Sequence, residues 1–227
     1  MSNRKSLLGM CLILGTIALV GTMGCAAMNR SGKGAVIGAA TGGAVGAVIG
    51  NNTGSTTRGA IIGAVVGGTA GAIIGHQMDK RAEEIARNVP AATVERVGEG
   101  INITFPSGLL FDFNSDVLRA TAAANLDELS RNLSQYGDSN LLIAGHTDAK
   151  GGAGYNQALS ERRANAAARY MTAQGLNRYI ATAGLGEREP ISSNTTEAGR
   201  QLNRRVEIAI YASAALQEEA RRQASGR

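Results

Sequence analysis

Cysteine and histidine are scarce in this chain: 227 residues hold two of each, and no tryptophan. Cys11 lies inside an apolar N-terminal run and Cys25 just beyond it. Once a leader of residues 1–24 is removed, one thiol remains, so no disulfide can staple the fold. No Cys/His cluster stands at ligand spacing, which excludes structural zinc. The histidines are His76 and His146, and no second ligand stands at a recognisable metal spacing from His146, so no metal is expected. Aromatic residues make up 4% of the chain, and no basic stripe is interleaved with them, which argues against nucleic acid. There is no G-x-S-x-G elbow, and "RSGKG" lacks phosphate-loop spacing and follows no strand. No enzyme chemistry and no cofactor are expected.

Charge excludes little. The formal net charge of +5 falls to +3 when Arg4 and Lys5 leave with the leader. Residues 91–212 carry 12 basic and 13 acidic side chains, so that part is near neutral. Those two leader cations precede the apolar run Leu7 to Val20, 14 residues long and short for a membrane span. "GTMGC" then resembles a bacterial lipobox. The resemblance implies lipidation of Cys25, with residues 25–33 as a lipidated N-terminus and linker.

Glycine is abundant instead. "GAVIGAATGGAVGAVIG" (34–50) and "GAIIGAVVGGTAGAIIG" (59–75) repeat with a 25-residue period and place glycine at every fourth position. In water such glycine penalises a helix by about 1 kcal/mol per residue relative to alanine. Close helix–helix contact along a glycine groove, or a bilayer, can offset that. With the polar turn "NNTGSTTR" between the copies, residues 34–75 read as a glycine-zipper helical hairpin, each arm about 25 Å long, able to support a homo-oligomer. It resembles the glycine-zipper regions of bacterial envelope proteins. Residues 76–99 read as a charged spacer helix, ended by Pro90, and a linker. The Lys80/Glu84 pair reads as a solvated helix face.

The remainder predicts an α/β domain of β-α-β-α-β-β order over 100–212, with a charged tail at 213–227. Ile101, Ile103 and Phe105 alternate as on a half-buried strand. Leu118, Ala122, Leu126, Leu129 and Leu133 mark one helix face, and "LLIAG" is a buried strand. A second helix over 155–173 is expected to turn Tyr155, Leu159, Ala166 and Tyr170 inward. "YIATAGLG" and "RRVEIAIYA" supply the last strands.

One stretch, "GHTDAKGGAGYNQALSERRA" (145–164), concentrates polar chemistry. A triad of Ser160, His146 and Asp148 is disfavoured because Ser160 falls inside a helix. A bound zwitterion fits better. Asp148, at a strand end, can take an ammonium. Asn156, Ser160 and Arg163 share one helix face, and Arg163 can hold a carboxylate in a two-pronged contact. From residue chemistry alone, a loop-capping Asp148 and a solvated Arg163 fit equally well.

"FDFNSDVL" (111–118), the stretch 145–164, "GLGEREPI" (184–191) and "NRRVEI" (203–208) together resemble, in order and spacing, the OmpA C-terminal-like domain, the family that includes peptidoglycan-associated lipoproteins. The resemblance implies non-covalent binding of peptidoglycan through diaminopimelate, a side-chain zwitterion, with Asp148 and Arg163 as the clamp. It places Asp112, Thr147, Asn156, Leu159 and Ser160 along the pocket. Arg204 and Arg205 are read as mainly structural, and His146 is assigned no role. With a lipidated Cys25, it implies an outer-membrane lipoprotein, its C-terminal domain in the periplasm, tethering membrane to wall. The alternative is an oligomeric membrane assembly or pore built on the glycine hairpin.

Overall fold

The computed structural model describes residues 54–136 and 139–226. The leader, Cys25 and the first glycine arm lie outside the described residues. Twelve elements follow in order: α1 (Thr56–Gly63), α2 (Gly68–Asn88), β1 (Thr93–Val97), β2 (Gly100–Pro106), α3 (Ser107–Leu110), α4 (Ala120–Ser134), β3 (Ser139–His146), α5 (Ala153–Ala173), β4 (Ile180–Gly186), α6 (Glu197–Asn203), β5 (Arg205–Ala212) and α7 (Ala214–Ala224).

Five strands form one sheet in the order β1-β2-β5-β3-β4. Only β3 and β4 are parallel, joined through α5; β1–β2, β2–β5 and β5–β3 are antiparallel. The expected strands and the two long helices are present. A strand more than expected, β1, pairs with β2 through a two-residue turn, in which Gly98 takes φ +52. That left-handed position is what a tight hairpin demands of its first turn residue.

Strand alternation gives the sheet two apolar faces. On the first, Ile101, Ile103, Phe105, Leu141, Ile143, Val206, Ile208 and Ile210 meet Ala122, Leu126, Leu129 and Leu133 of α4 and Ala164, Ala167 and Met171 of α5, all buried. On the second, Leu142, Ala144, Ala181, Ala183, Leu185 and Ala209 are small or medium side chains, and Ile61 of α1 is packed among them. Gly100 makes that approach possible, since a Cβ there would lie 2.5 Å from Ile61.

The inward face of α5 includes Leu159, with Ala166 and Tyr170 packed against the core as expected, but not Tyr155. Asn156, Leu159, Ser160, Arg163, Ala164, Ala167 and Met171 are buried, whereas Tyr155 is 46% exposed and Ala166 and Tyr170 are only half-buried. The strands beneath explain this. Gly145 and Gly184 bring their backbone against the helix, where a Cβ would fall 2.1 Å from the Ser160 carbonyl oxygen and 2.7 Å from Glu161. Where those glycines approach the helix there is no room for a larger side chain on the strand, and Tyr155 turns outward.

The second glycine arm is not one helix. It breaks between α1 and α2, where Gly67 and Gly68 take φ +73 and +61. The β1–β2 turn fills the break: the Glu99 carboxylate accepts the N–H groups of Val66 (2.8 Å) and Gly67 (2.9 Å). Gly71 leaves room for it, because a Cβ there would sit 2.0 Å from the carboxylate. The segment expected to be a spacer continues α2 without interruption and buries Met78, Ala82 and Ile85 in the main core, in line with Ile74 of the glycine arm. Each such aliphatic side chain contributes about 1.5–3 kcal/mol on burial. Lys80 is solvated, but Glu84 accepts the Tyr136 hydroxyl. The expected tail is α7, capped by Ser213 and buried through Leu216 and Ala220. Among the described residues, no helix is long and apolar enough to cross a membrane.

Candidate functional site

Parallel β3 and β4 deliver their C-terminal ends to the same edge of the sheet, the place where open α/β sheets offer a crevice. Thr147 and Asp148 leave β3 there; the Thr147 N–H donates to the Gly186 carbonyl at 2.9 Å, so the two strand ends stay joined. Helix α5 starts at this edge. The 111–119 loop, the loop after β4, and the α6–β5 junction close around it.

Asp148 is 7% exposed. Its Oδ1 accepts the Lys150 N–H at 2.9 Å, and its Oδ2 is in close contact with Nη1 of Arg204. Arg204 turns Nη2 to Glu197 at 2.7 Å. That contact, with a second cation from Arg200, holds the Glu197 carboxyl down at about 2. Arg204 therefore bridges two carboxylates, a structural role at the border of the site.

Arg163 is 5% exposed. Its Nε donates to the Ser115 carbonyl at 2.9 Å, its Nη2 to the Asp112 carbonyl at 3.4 Å, and its guanidinium lies 5.2 Å from the Phe111 ring centroid. Among the described residues it makes no ion pair with a carboxylate. Burial pushes its pKa below the ordinary arginine value, and the positive charge of Arg204 adds to that push. A buried guanidinium held by carbonyls and a ring face keeps its demand for an anion.

Asn156 ties the site together. Its amide donates to the Asp148 carbonyl (3.2 Å), the Lys150 carbonyl (3.1 Å) and the Glu187 carboxylate (2.7 Å). Asn156 and Arg163 stand two helical turns apart on one face, about 10 Å along the axis. Thr147 is 6% exposed, and its Oγ1 has no hydrogen-bond partner. Leu159 is buried beside them.

Two expected residues differ in role. Ser160 is fully buried; it donates to the Gln157 carbonyl (2.8 Å) and accepts the Gly186 N–H (2.9 Å), so it fastens α5 to β4. The Asp112 carboxylate is 75% exposed and faces Arg119 at 3.4 Å, while its backbone carbonyl serves Arg163. Sequence reasoning missed Ser115, Phe111, Lys150, Glu187, Glu197 and Asn194, whose Oδ1 accepts the Ala149 N–H at 3.1 Å. Backbone carbonyls leave no residue-type signal, but Phe111 and Ser115 stand in "FDFNSDVL", a motif singled out for other positions. His146 lies on the opposite face of the sheet from Ser160, so these two do not form a hydrolytic pair.

The arrangement offers the buried Asp148 carboxylate and the Arg163 and Arg204 guanidiniums, with the Glu187 and Glu197 carboxylates already bonded to Asn156 and Arg204. It suits a ligand that carries a carboxylate and, beside it, an ammonium.

Known proteins resemble this chain in two stretches. Residues 110–204 match the OmpA family, and residues 1–79 match the YMGG-like Gly-zipper. Outer membrane porin F of Pseudomonas fluorescens is 40% identical over 105 residues, 46% of this chain and 32% of that protein. Outer membrane protein A of Bordetella avium is 36% identical over 112 residues, 49% of this chain and 58% of that protein. For these two relatives the match spans less than two thirds of their own length. Outer-membrane lipoprotein YfiB of Pseudomonas aeruginosa is 38% identical over 115 residues, 50% of this chain and 68% of that protein. In fold, the chain is similar to a MotB-like protein of Desulfovibrio vulgaris (TM-score 0.57, 22% identity, 63% of this chain and 96% of that one). It is also similar to the cell wall anchor of the T6SS from Pseudomonas aeruginosa (TM-score 0.52, 24% identity, 60% and 97%).

Proposed function

The chain belongs to the OmpA family, and from that premise we propose that it is an outer-membrane lipoprotein whose periplasmic domain grips peptidoglycan without a covalent bond and so ties the membrane to the wall. It is not an enzyme. The observation that carries the reading is Arg163: a buried guanidinium without a carboxylate, at a sheet edge that also holds a buried aspartate.

The ligand of this reading is the free end of diaminopimelate in the stem peptide. Its carboxylate meets Arg163, with Arg204 nearby adding positive potential. Its ammonium meets Asp148, sharing that carboxylate with Arg204. Thr147, whose buried hydroxyl lacks a partner, contributes a polar contact, and Leu159 lines the apolar stem. Asn156 positions the Asp148 backbone, and Ser160 holds α5 in place. Asp112 acts through its carbonyl, by fixing Arg163.

At the other end, acyl chains on Cys25 anchor the chain; each buried CH₂ is worth about 0.8 kcal/mol, and more than one chain is needed for firm anchoring. Self-association, where it occurs, belongs to the first glycine arm, because the second is committed to the domain's own packing. Sedimentation of the acylated protein with purified diaminopimelate-type peptidoglycan tests the reading.

A further inference from the structure

Helix α1 is an outlying piece of the glycine-rich segment, yet it is the element of that segment that lies on the sheet's second face. It is eight residues long and is bounded by backbone at positive φ, Gly54 at +66 on one side and Gly67 and Gly68 on the other. Its apolar hold is Ile61. Its polar hold is at its first turn. Thr56 gives its N–H (3.1 Å) and its hydroxyl to the Glu189 carboxylate, and the Thr57 hydroxyl donates to Glu207.

Those two carboxylates belong to a buried polar cluster. Arg205 Nε bonds Glu207 at 2.7 Å, and its Nη2 bonds the Glu189 carbonyl at 3.1 Å. His146 completes the cluster, 3.9 Å from Glu207 and 1% exposed. Both of its ring nitrogens are buried without a hydrogen-bond partner. The charged groups facing it are Arg205 and Glu207 from β5. Its neighbour in register on β4, Gly186, cannot titrate. Helix α1 carries one charged residue, Arg58, which turns away to Glu95 at 2.7 Å.

We propose that α1 is an acid-released strap: it seats on the second face of the sheet while His146 is neutral, and it leaves that face when His146 takes a proton. A neutral imidazole tolerates the site; an imidazolium with two unbonded N–H groups beside Arg205 does not. Burial, and then the charge of Arg205, push His146 down to about 3, against a weaker pull from Glu207. The sign follows. The seated state rejects the proton and the released state binds it at the ordinary histidine value of about 6.5. Seating is therefore at full strength above that value and weakens as the pH falls toward 3, by about thirtyfold at pH 5.

Release has a consequence that rests on the wall-binding reading. Glu189 sits in the loop after β4, whose Glu187 bonds Asn156 and whose Asn194 bonds the Ala149 N–H beside Asp148. Loss of Thr56 removes one anchor of that loop and loosens the site.

Amide exchange of the full chain in detergent at pH 7.5 and pH 5.0, each rate referred to the unprotected rate at that pH, tests the strap. Protection of 57–63 should drop about thirtyfold at pH 5, with β3 and β5 unchanged. His146→Leu and His146→Asn should each make α1 protection equal at the two pH values. Equal protection in the parent, or a drop that persists in either folded variant, overturns the proposal. Should neither variant fold, the His146 ring resonance in the parent decides: titration near pH 6.5 with α1 protection intact contradicts the strap, and the two moving together supports it. The test needs no wall. Acid-dependent release without peptidoglycan binding at either pH upholds the strap and removes the wall reading.

Discussion

Asp148 pairs with Arg204 in the same cleft where Arg163 is held by two backbone carbonyls and the face of Phe111. The cleft therefore holds a buried guanidinium that, among the described residues, has no carboxylate partner. A carboxylate entering it finds a guanidinium whose desolvation has been met by the fold. An entering ammonium finds Asp148 oriented by Lys150 and shared with Arg204. Arg204→Gln should leave Asp148 less well held and weaken wall binding, by less than loss of Asp148 itself. Binding isotherms of the three proteins check that order.

Asp148 and Arg163, the proposed clamp, are buried, so substitution reaches stability as well as binding. Arg163→Ala frees the Asp112 and Ser115 carbonyls and should cost about 1–3 kcal/mol of stability. Arg163→Lys keeps the charge but loses the planar fork, and it should fail to bind. Urea unfolding followed by circular dichroism separates the two effects.

Two glycines of the same repeat should behave differently. Gly67→Leu places a side chain at φ +73 and should destabilise the fold by more than about 1 kcal/mol. Gly42→Leu, in the first arm, should weaken self-association in detergent without lowering the unfolding midpoint. Thermal unfolding and native mass of both variants check this. A Gly67 variant that unfolds like the parent would contradict the packing of the second arm.

A fragment that starts at residue 91 should be much less stable than one that starts at 54. It loses Ile61, Ile74, Met78 and Ile85 from the two apolar faces. At about 1.5–3 kcal/mol each, the loss is on the order of 5 kcal/mol or more, comparable with the whole stability of a small domain. Denaturant unfolding of the two fragments measures it.

Mass spectrometry of the N-terminus should find Cys25 acylated. An unmodified N-terminus elsewhere would remove the lipid anchor from the account.

Where alternation met a uniform partner, sequence was enough. Ile101, Ile103 and Phe105 face one layer of helices, and the Ala122–Leu133 stripe matches one helix period, so both were legible. On helix α5 the hydrophobic period found Leu159, Ala166 and Tyr170 but wrongly included Tyr155; the approach of Gly145 and Gly184 to Ser160 and Glu161 leaves no such periodic signal. The packing of residues 74–85 onto the sheet domain was hidden for another reason. Ile74, Met78, Ala82 and Ile85 keep one helical phase across the position where glycine gives way to charge. The change of composition at residue 76 was more conspicuous than that phase. In the site, Asp148 and Arg163 were legible as residue types. The loop carbonyls that hold Arg163 were not, because a carbonyl belongs to every residue.

The central claim is that Asp148 and Arg163 grip one zwitterion. Sedimentation of the acylated chain with purified diaminopimelate-type peptidoglycan, in detergent and with circular dichroism on every sample, tests it most directly. Asp148→Ala and Arg163→Ala should each lose about tenfold to a hundredfold in affinity, a charge-assisted contact being worth about 1.5–3 kcal/mol. The double variant should lose little more, since both contacts address the same ligand. An Asp148→Ala protein that stays folded and pellets like its parent would contradict the account.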